Sequence, residues 1–471
     1  MTLVMKFGGS SVGSVAAVRQ TAALIQQARQ TWGSVVVVAS AMGTKPVKVT
    51  DLLLQGARRA LAGDSQTFLE VAEQLRRAHY EVIDGLLEPE GERQAALAEN
   101  GQFIDRFTAL CQAVLVLGEL TPRALDAISG MGEQMSVRIL AAYLRQLGLA
   151  ALAVDATELI RTDANFQAAT PLMAETTRLT QAHLGAALAQ GAVPVVTGFI
   201  GATAGGVMTT LGRGGSDFSA AILGQALPAK EVWIWTDVDG VMSADPRLVA
   251  AARTIPELTN REVSELAYYG AQVLHPKTIR PVLENGIPLR IKNTFNPDHA
   301  GTVIVADKPD GSGQIKAVTA IPNLSLVTIE GKGMLGVPGI AARAFGAVAR
   351  NQVNVLLITQ ASSEQSICFS VPEAATAVVI NSLEAEFAHE LQRRDIDRIW
   401  AQQPVGIVTV VGAGMRGTPG IAGKIFGTLG AHGINVIAIA QGSSECSVSL
   451  VVTANDTAAA VQRLHELVSA A

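Results

Sequence analysis

A chain of 471 residues, 49% hydrophobic and 16% charged, is long enough for two or three cores and too apolar for a disordered chain. Its formal net charge of −5 argues against a nucleic-acid partner, since no basic stripe offsets phosphate repulsion. The 3 cysteines, Cys111, Cys368 and Cys446, are too far apart for a disulfide framework or a zinc pattern. They read as buried, inert thiols in a reducing compartment.

In chain order, residues 3–7 read as a buried strand ended by Gly8-Gly9, followed by a helix over roughly 14–32 with Val15, Val18, Ala22 and Ile25 at helical spacing. The run Val35 to Val38 marks a strand covered on both faces. Strand, helix, strand with glycine turns predicts a parallel α/β sheet, with further buried strands at 193–196 and 232–235. Residues 52–148 read as a helical insertion, its apolar face carried by Leu69, Ala72, Leu75, Val82 and Leu86. No stretch supplies the roughly 18 unbroken apolar residues of a membrane span. The start, Met1 to Gly9, lacks the pattern of a signal peptide, so a cytoplasmic location is expected.

The polar, turn-rich stretch Asp307 to Gly313 suggests a domain boundary. Beyond it Pro338-Gly339-Ile340, Phe345-Gly346, Asn354-Val355 and Gln360-x-Ser362-Ser363-Glu364 recur as Pro419-Gly420-Ile421, Phe426-Gly427, Asn435-Val436 and Gln441-x-Ser443-Ser444-Glu445. The offset is constant at 81 positions, from Asn354 to Asn435 and from Gln360 to Gln441. Each copy reads as a ferredoxin-like βαββαβ unit, and the pair is expected to stack sheet to sheet. The expected domains are 1–306, 307–400 and 401–471, the last two interleaved.

Four constellations carry chemistry. Lys6-Phe7-Gly8-Gly9-Ser10-Ser11 offers backbone N–H groups and an ammonium to a phosphate, although glycine pairs after strands also make ordinary turns. Thr209 to Asp217 sets Arg213 between glycines as an unobstructed fork for a carboxylate; Ser216 reads as a helix cap and Asp217 as facing an ammonium. Glu133 enters a helix after Ser129-Gly130-Met131-Gly132, where a carboxylate also complements the helix dipole. Thr236, Asp237 and Arg247 follow a buried strand at the end where open α/β sheets bind ligands, with Asp239-Gly240 forming a turn. His275, without a second histidine or a cysteine nearby, reads as structural.

Taken together, Lys6–Gly13, Ser40–Gly43, Ser129–Glu133, Leu211–Asp217, Trp235–Gly240 and Gly270–Pro276 occur in the order found in aspartate kinases, which the chain resembles over essentially its whole length. Ile358 to Glu364 and Ile439 to Glu445 look like the kinase portion of threonine-sensitive aspartokinase–homoserine dehydrogenases, without the dehydrogenase half. The resemblance implies a three-layer αβα amino-acid-kinase fold with a mainly parallel sheet, plus two ACT domains joining copies into a homodimer or tetramer. It implies transfer of the ATP γ-phosphoryl group to the β-carboxylate of L-aspartate with Mg²⁺, the first step of lysine, threonine and methionine biosynthesis. Lys6, Gly8, Gly9 and Ser10 would then hold phosphates. Arg213, with Gly214, Gly215 and Ser216, would take the α-carboxylate and Glu133 the α-ammonium. Asp217 would orient the site, Ser40 and Thr50 would lie beside the β-carboxylate, and the Phe199 segment would offer backbone contacts. Thr236, Asp237 and Arg247 would take the nucleotide, as would Met242 and Gln272, where relatives often carry tyrosine and lysine. Gln360 and Gln441 would bind an amino-acid effector, threonine rather than lysine, because lysine-sensitive relatives tend to lack this glutamine.

A carboxylate nucleophile is already ionised at neutral pH, so the work expected of the site is positioning and charge neutralisation, with no general base. Two alternatives stand beside this reading: another amino-acid kinase of the same fold, and a non-catalytic sensor working through its ACT pair.

Overall fold

The computed structural model describes the chain except residues 44–47, 90, 270–273, 275, 308–313, 362–364, 443–444, 469–471 and the side chain of Pro276. Gln272, His275, most of the turn-rich boundary stretch and the paired serines of both repeats thus lie outside the described residues. The chain divides into two units, one of Met1–Val241, Pro256–Asn260 and Leu274–Ala306, the other of Met242–Ile255, Arg261–Val273 and Asp307–Ala471.

The first unit begins β1 (Thr2–Phe7), α1 (Gly9–Val12), α2 (Val15–Thr31) and β2 (Ser34–Ala39). The helical insertion follows as α3 (Val49–Leu61), α4 (Ser65–Leu86), α5 (Glu92–Leu117), α6 (Pro122–Ser129) and α7 (Met131–Gln146). Then come β3 (Ala151–Val154), α8 (Met173–Ala189), β4 (Val193–Thr197), a β5 (Ile200–Ala202) and β6 (Met208–Thr210) hairpin, α9 (Gly215–Ala226) and β7 (Glu231–Thr236). After β8 (Glu257–Thr259) the chain forms α10 (Asn260–Tyr268), which from Arg261 belongs to the second unit, and returns through α11 (Pro276–Leu283), β9 (Leu289–Asn293) and β10 (Thr302–Val305).

Eight strands make one sheet in the order β3-β4-β2-β1-β7-β9-β10-β8, parallel throughout except where β9 meets β10. Val35 to Val38 are fully buried, as their uninterrupted β-branched run requires. Side chains alternate across a strand. Leu3, Met5 and Phe7 therefore join the core with α2 and α7, whereas Val4 and Lys6 turn to the opposite side, against which α9 packs. In α4 the buried stripe is Phe68, Val71, Ala72, Leu75, Val82, Ile83 and Leu86. Leu69, expected on that stripe, is 49% exposed, because its neighbour Phe68 takes the inward position at that turn.

The second unit continues with β11 (Ala317–Glu330), α12 (Ile340–Arg350), β12 (Leu357–Gln360), β13 (Ser366–Pro372), α13 (Thr376–Glu386) and α14 (Ala388–Arg393). It ends with β14 (Arg398–Val411), α15 (Ile421–Ala431), β15 (Ala438–Ala440), β16 (Ser447–Thr453) and α16 (Ala454–His465). The expectation of two stacked sheets is corrected here. The repeats share one six-stranded antiparallel sheet, β12-β13-β11-β14-β16-β15. The physical reason is length: β11 and β14 pair from Ala317↔Val411 to Glu330↔Arg398, satisfying backbone groups that separate sheets would leave as open edges. Each repeat keeps its own core, one around Phe369, Val379 and Phe387, the other around Ile425, Leu450 and Leu464. Cys111 and Cys446 are buried as expected, while Cys368 is only half-buried and accepts a hydrogen bond from Thr328 Oγ1 at 3.4 Å. Among the described residues no helix is long and apolar enough to cross a membrane.

Candidate active site

The carboxyl ends of β1, β2 and β7 open onto a cavity of about 520 Å³ in the first unit. Its lining brings together Lys6, Gly9, Ser10, Ser40, Thr50, Glu133, Phe199, Arg213, Gly214, Gly215, Ser216, Asp217 and Asp237. Ligands gather at such strand ends because loops and helix starts leave backbone donors unpaired there.

Lys6, the inward-turning residue near the end of β1, is 9% exposed and places Nζ 2.6 Å from Asp217 Oδ1. Asp217 reaches it from the first turn of α9, so the ammonium it faces belongs to the chain itself. Gly8 donates its N–H to Trp235 O at 3.1 Å and is not part of the lining, which leaves Gly9 and Ser10 facing the cavity. Ser216 does not cap α9. The helix starts one residue earlier, after Gly214 at φ 71, a left-handed conformation that glycine adopts without a Cβ clash. Arg213 is exposed in the lining just before that turn.

Glu133 is 4% exposed in the first turn of α7. Gly132 makes this possible: a Cβ there would stand 2.7 Å from the Ala41 side chain, so only glycine lets α7 press against that loop. Burial pushes the Glu133 carboxyl up to about 8 from its ordinary 4.5, against the opposing pull of N–H groups of Ala41 and Glu133 and of the Lys6 charge. Its Oε2 has no hydrogen-bond partner among the described residues. Desolvation thus favours the neutral form of this carboxyl, which a cationic group beside it would ionise. With the folded value above the unfolded one, the native state binds the extra proton, and stability is lost as pH rises from about 4.5 through about 8. Glu133→Gln, which mimics the neutral form, should therefore raise the thermal midpoint over wild type increasingly between pH 5 and pH 8.5. Several degrees are expected at the upper end, at roughly 2–4 °C per kcal/mol. A difference that stays constant across that range would mean that burial does not raise the Glu133 pKa.

Phe199 holds φ 67, costly for a non-glycine residue, and is pinned by hydrogen bonds from Leu211 N to its carbonyl and from its own N–H to Ser219 Oγ. Thr236 ends β7 with its hydroxyl 3.2 Å from Asp237 Oδ1. Met242 and Arg247 fall in the second unit, where Arg247 pairs with Asp245 at 2.6 Å and is otherwise exposed. Sequence reasoning missed Lys48, which lines the cavity beside Met42 of the Ser40–Gly43 block, and Asp126, which is buried. No local spacing pointed to them.

Residues 1–293 match the amino acid kinase family, and residues 327–387 and 408–467 each match an ACT domain. The bifunctional aspartokinase/homoserine dehydrogenase of Haemophilus influenzae is 35% identical over 98% of this chain and 56% of its own. Aspartokinase 3, chloroplastic, of Arabidopsis thaliana is 33% identical over 99% of this chain and 81% of its own. The chain spans about half the length of the bifunctional relatives it matches. Among solved structures, E. coli aspartokinase III in complex with aspartate and ADP superposes with a TM-score of 0.78 at 28% identity, covering 99% of both chains.

Proposed function

The chain belongs to the aspartokinase family, and from that premise we propose that it transfers the γ-phosphoryl group of ATP to the β-carboxylate of L-aspartate, giving 4-phospho-L-aspartate and ADP. The observation that carries this reading is the convergence of three complementary groups on one cavity: the buried Glu133 carboxyl, the exposed Arg213 guanidinium, and Lys6 beside Gly9 and Ser10. Glu133 and Arg213 take the two ends common to every α-amino acid, which leaves the side-chain carboxylate for the phosphoryl donor. Ser40 and Thr50 lie beside that carboxylate. Lys6 neutralises charge on the transferred group, and Asp217 holds the ammonium in place through their 2.6 Å contact. Thr236 and Asp237 take the nucleotide. With Asp217 engaged by Lys6, Mg²⁺, which keeps most of its water and phosphate ligands, would enter with the nucleotide and supply further charge neutralisation there. The reading places the protein in the cytoplasm, as a homodimer or tetramer joined through its ACT domains.

A coupled assay of ADP release across candidate amino acids tests the activity. Turnover with aspartate and little with glutamate, acetylglutamate or carbamate is expected. Preference for another acceptor would reassign the substrate, and no turnover with any would leave a sensor.

L-Threonine is the proposed effector, bound through Gln360 and Gln441. Both are exposed, one ending edge strand β12 and the other following edge strand β15 at the equivalent point of the second repeat. A primary amide both donates and accepts, which suits a small ligand carrying a hydroxyl. Inhibition requires threonine to bind an inactive arrangement better than the active one. Calorimetry should show threonine binding to wild type and about tenfold weaker binding to Gln360→Ala and Gln441→Ala, the loss of one or two hydrogen bonds each. Tight lysine binding without threonine binding, or threonine affinity unchanged in both variants, would overturn the assignment.

A further inference from the structure

Asp126 of α6 is 1% exposed and surrounded by donors from two other segments. Its Oδ2 accepts from Thr210 N at 3.0 Å and from Gln167 N at 3.0 Å, and its Oδ1 accepts from Thr210 Oγ1 at 2.8 Å. Each of these donors needs an acceptor, and a carboxylate is the side chain that offers two oxygens and no hydrogen. Burial raises its pKa, while the same three groups pull it back down.

The geometry gives these bonds a purpose beyond packing. Thr210 ends β6, and Arg213 follows it across Leu211 and Gly212. Gly212 has φ 78, and a Cβ on it would stand 3.0 Å from Gln167 O, so the two segments gripped by Asp126 meet immediately beside the residue that precedes Arg213. The main chain of Asp126 faces the other way. Its carbonyl accepts from Gly130 N at 3.1 Å and from Ser129 Oγ at 3.4 Å, closing α6 at the junction from which α7 carries Glu133. One residue thus joins the helix start bearing Glu133 to the loop bearing Arg213.

We propose that Asp126 is a positioning residue that sets the separation between Glu133 and Arg213, and so the fit of the cavity to the ammonium and α-carboxylate ends of an amino acid. The proposal rests on the aspartate-kinase reading of the cavity. Asp126 touches no substrate; it acts by holding Thr210 and Gln167, and through them Arg213. Because the phosphate-facing residues Lys6, Gly9 and Ser10 hang from β1 and α1, its loss should leave nucleotide binding almost untouched.

The test measures KM for aspartate, KM for ATP, kcat and thermal midpoint in the full-length chain for Asp126→Asn, Thr210→Val and Thr210→Ser. In Asp126→Asn an amide N–H replaces one acceptor and confronts a donor. About a tenfold or larger rise in the aspartate KM is expected, with the ATP KM within about twofold, since a displacement of 1 Å at a binding group suffices for losses of this order. Thr210→Val loses only the hydroxyl bond and should raise the aspartate KM severalfold, while Thr210→Ser restores it. The double variant Asp126→Asn/Thr210→Val should be no worse than Asp126→Asn alone, because both substitutions cut the same contact. Should Asp126→Asn not fold, the Thr210→Val and Thr210→Ser pair decides the matter alone. A lowered thermal midpoint with both KM values unchanged, or equal rises in the two KM values, would make Asp126 merely structural and overturn the inference. If wild type turns over aspartate and the variants match it, only this inference falls; if wild type does not accept aspartate, the reading of the cavity falls with it.

Discussion

Lys6→Ala is expected to lower kcat on the order of 10²-fold or more while the protein remains folded. The charge that develops on a transferring phosphoryl group has to be met inside a partly dehydrated site, where one ammonium is worth far more than in water. Lys6 is a buried cation of the cavity, held in position by Asp217. Its removal also strands the Asp217 carboxylate, whose side chain is only 16% exposed, so some loss of stability accompanies the loss of rate. The double variant Lys6→Ala/Asp217→Asn separates these effects: it should recover stability without recovering turnover. Lys6→Arg should remain poor, since a planar guanidinium does not reproduce a point charge at the same distance. Steady-state kinetics with circular dichroism on each variant would show this. Turnover within a few-fold of wild type in a folded Lys6→Ala protein would remove Lys6 from the mechanism.

The second large effect is expected from Arg213→Ala, and it should fall on KM for aspartate rather than on KM for ATP. Arg213 is exposed before ligand arrives, so the bidentate carboxylate contact should contribute about 2 kcal/mol, the lower end of the range for buried charge pairs. That corresponds to roughly a thirtyfold rise in KM. Arg213→Lys keeps the charge and loses the fork, and should fall between wild type and alanine. A shift in the ATP KM instead would mean that the two halves of the cavity have been assigned the wrong way round. Arg213→Ala and Asp126→Asn differ in one respect: only the first removes a group that touches substrate. Their double variant should therefore show little added effect.

Local patterns in the sequence determine a good deal of this protein. Val35 to Val38 reads as a strand covered on both faces, because four adjacent β-branched residues favour extended backbone and alternate between two sides that must both be buried. The glycine turns after β1 and before α9, the helical periodicity of the insertion and the repeat offset are likewise set by neighbours a few positions away. Glu133, Arg213 and Lys6 were legible because each sits in a short glycine-rich context that frees a charged side chain. What tertiary structure alone decided are the long-range pairings and the ionisation states. Nothing near Lys6 announces Asp217 as its partner, and nothing near Asp126 announces Thr210 and Gln167, because those neighbours are delivered by β-strand order and helix packing. The raised pKa of Glu133 comes from desolvation, which depends on everything packed around it. The single sheet shared by the repeats has the same origin: a repeat specifies its own strands and helices, but whether two such units stack or join edge to edge depends on whether β11 and β14 find one another along their full length.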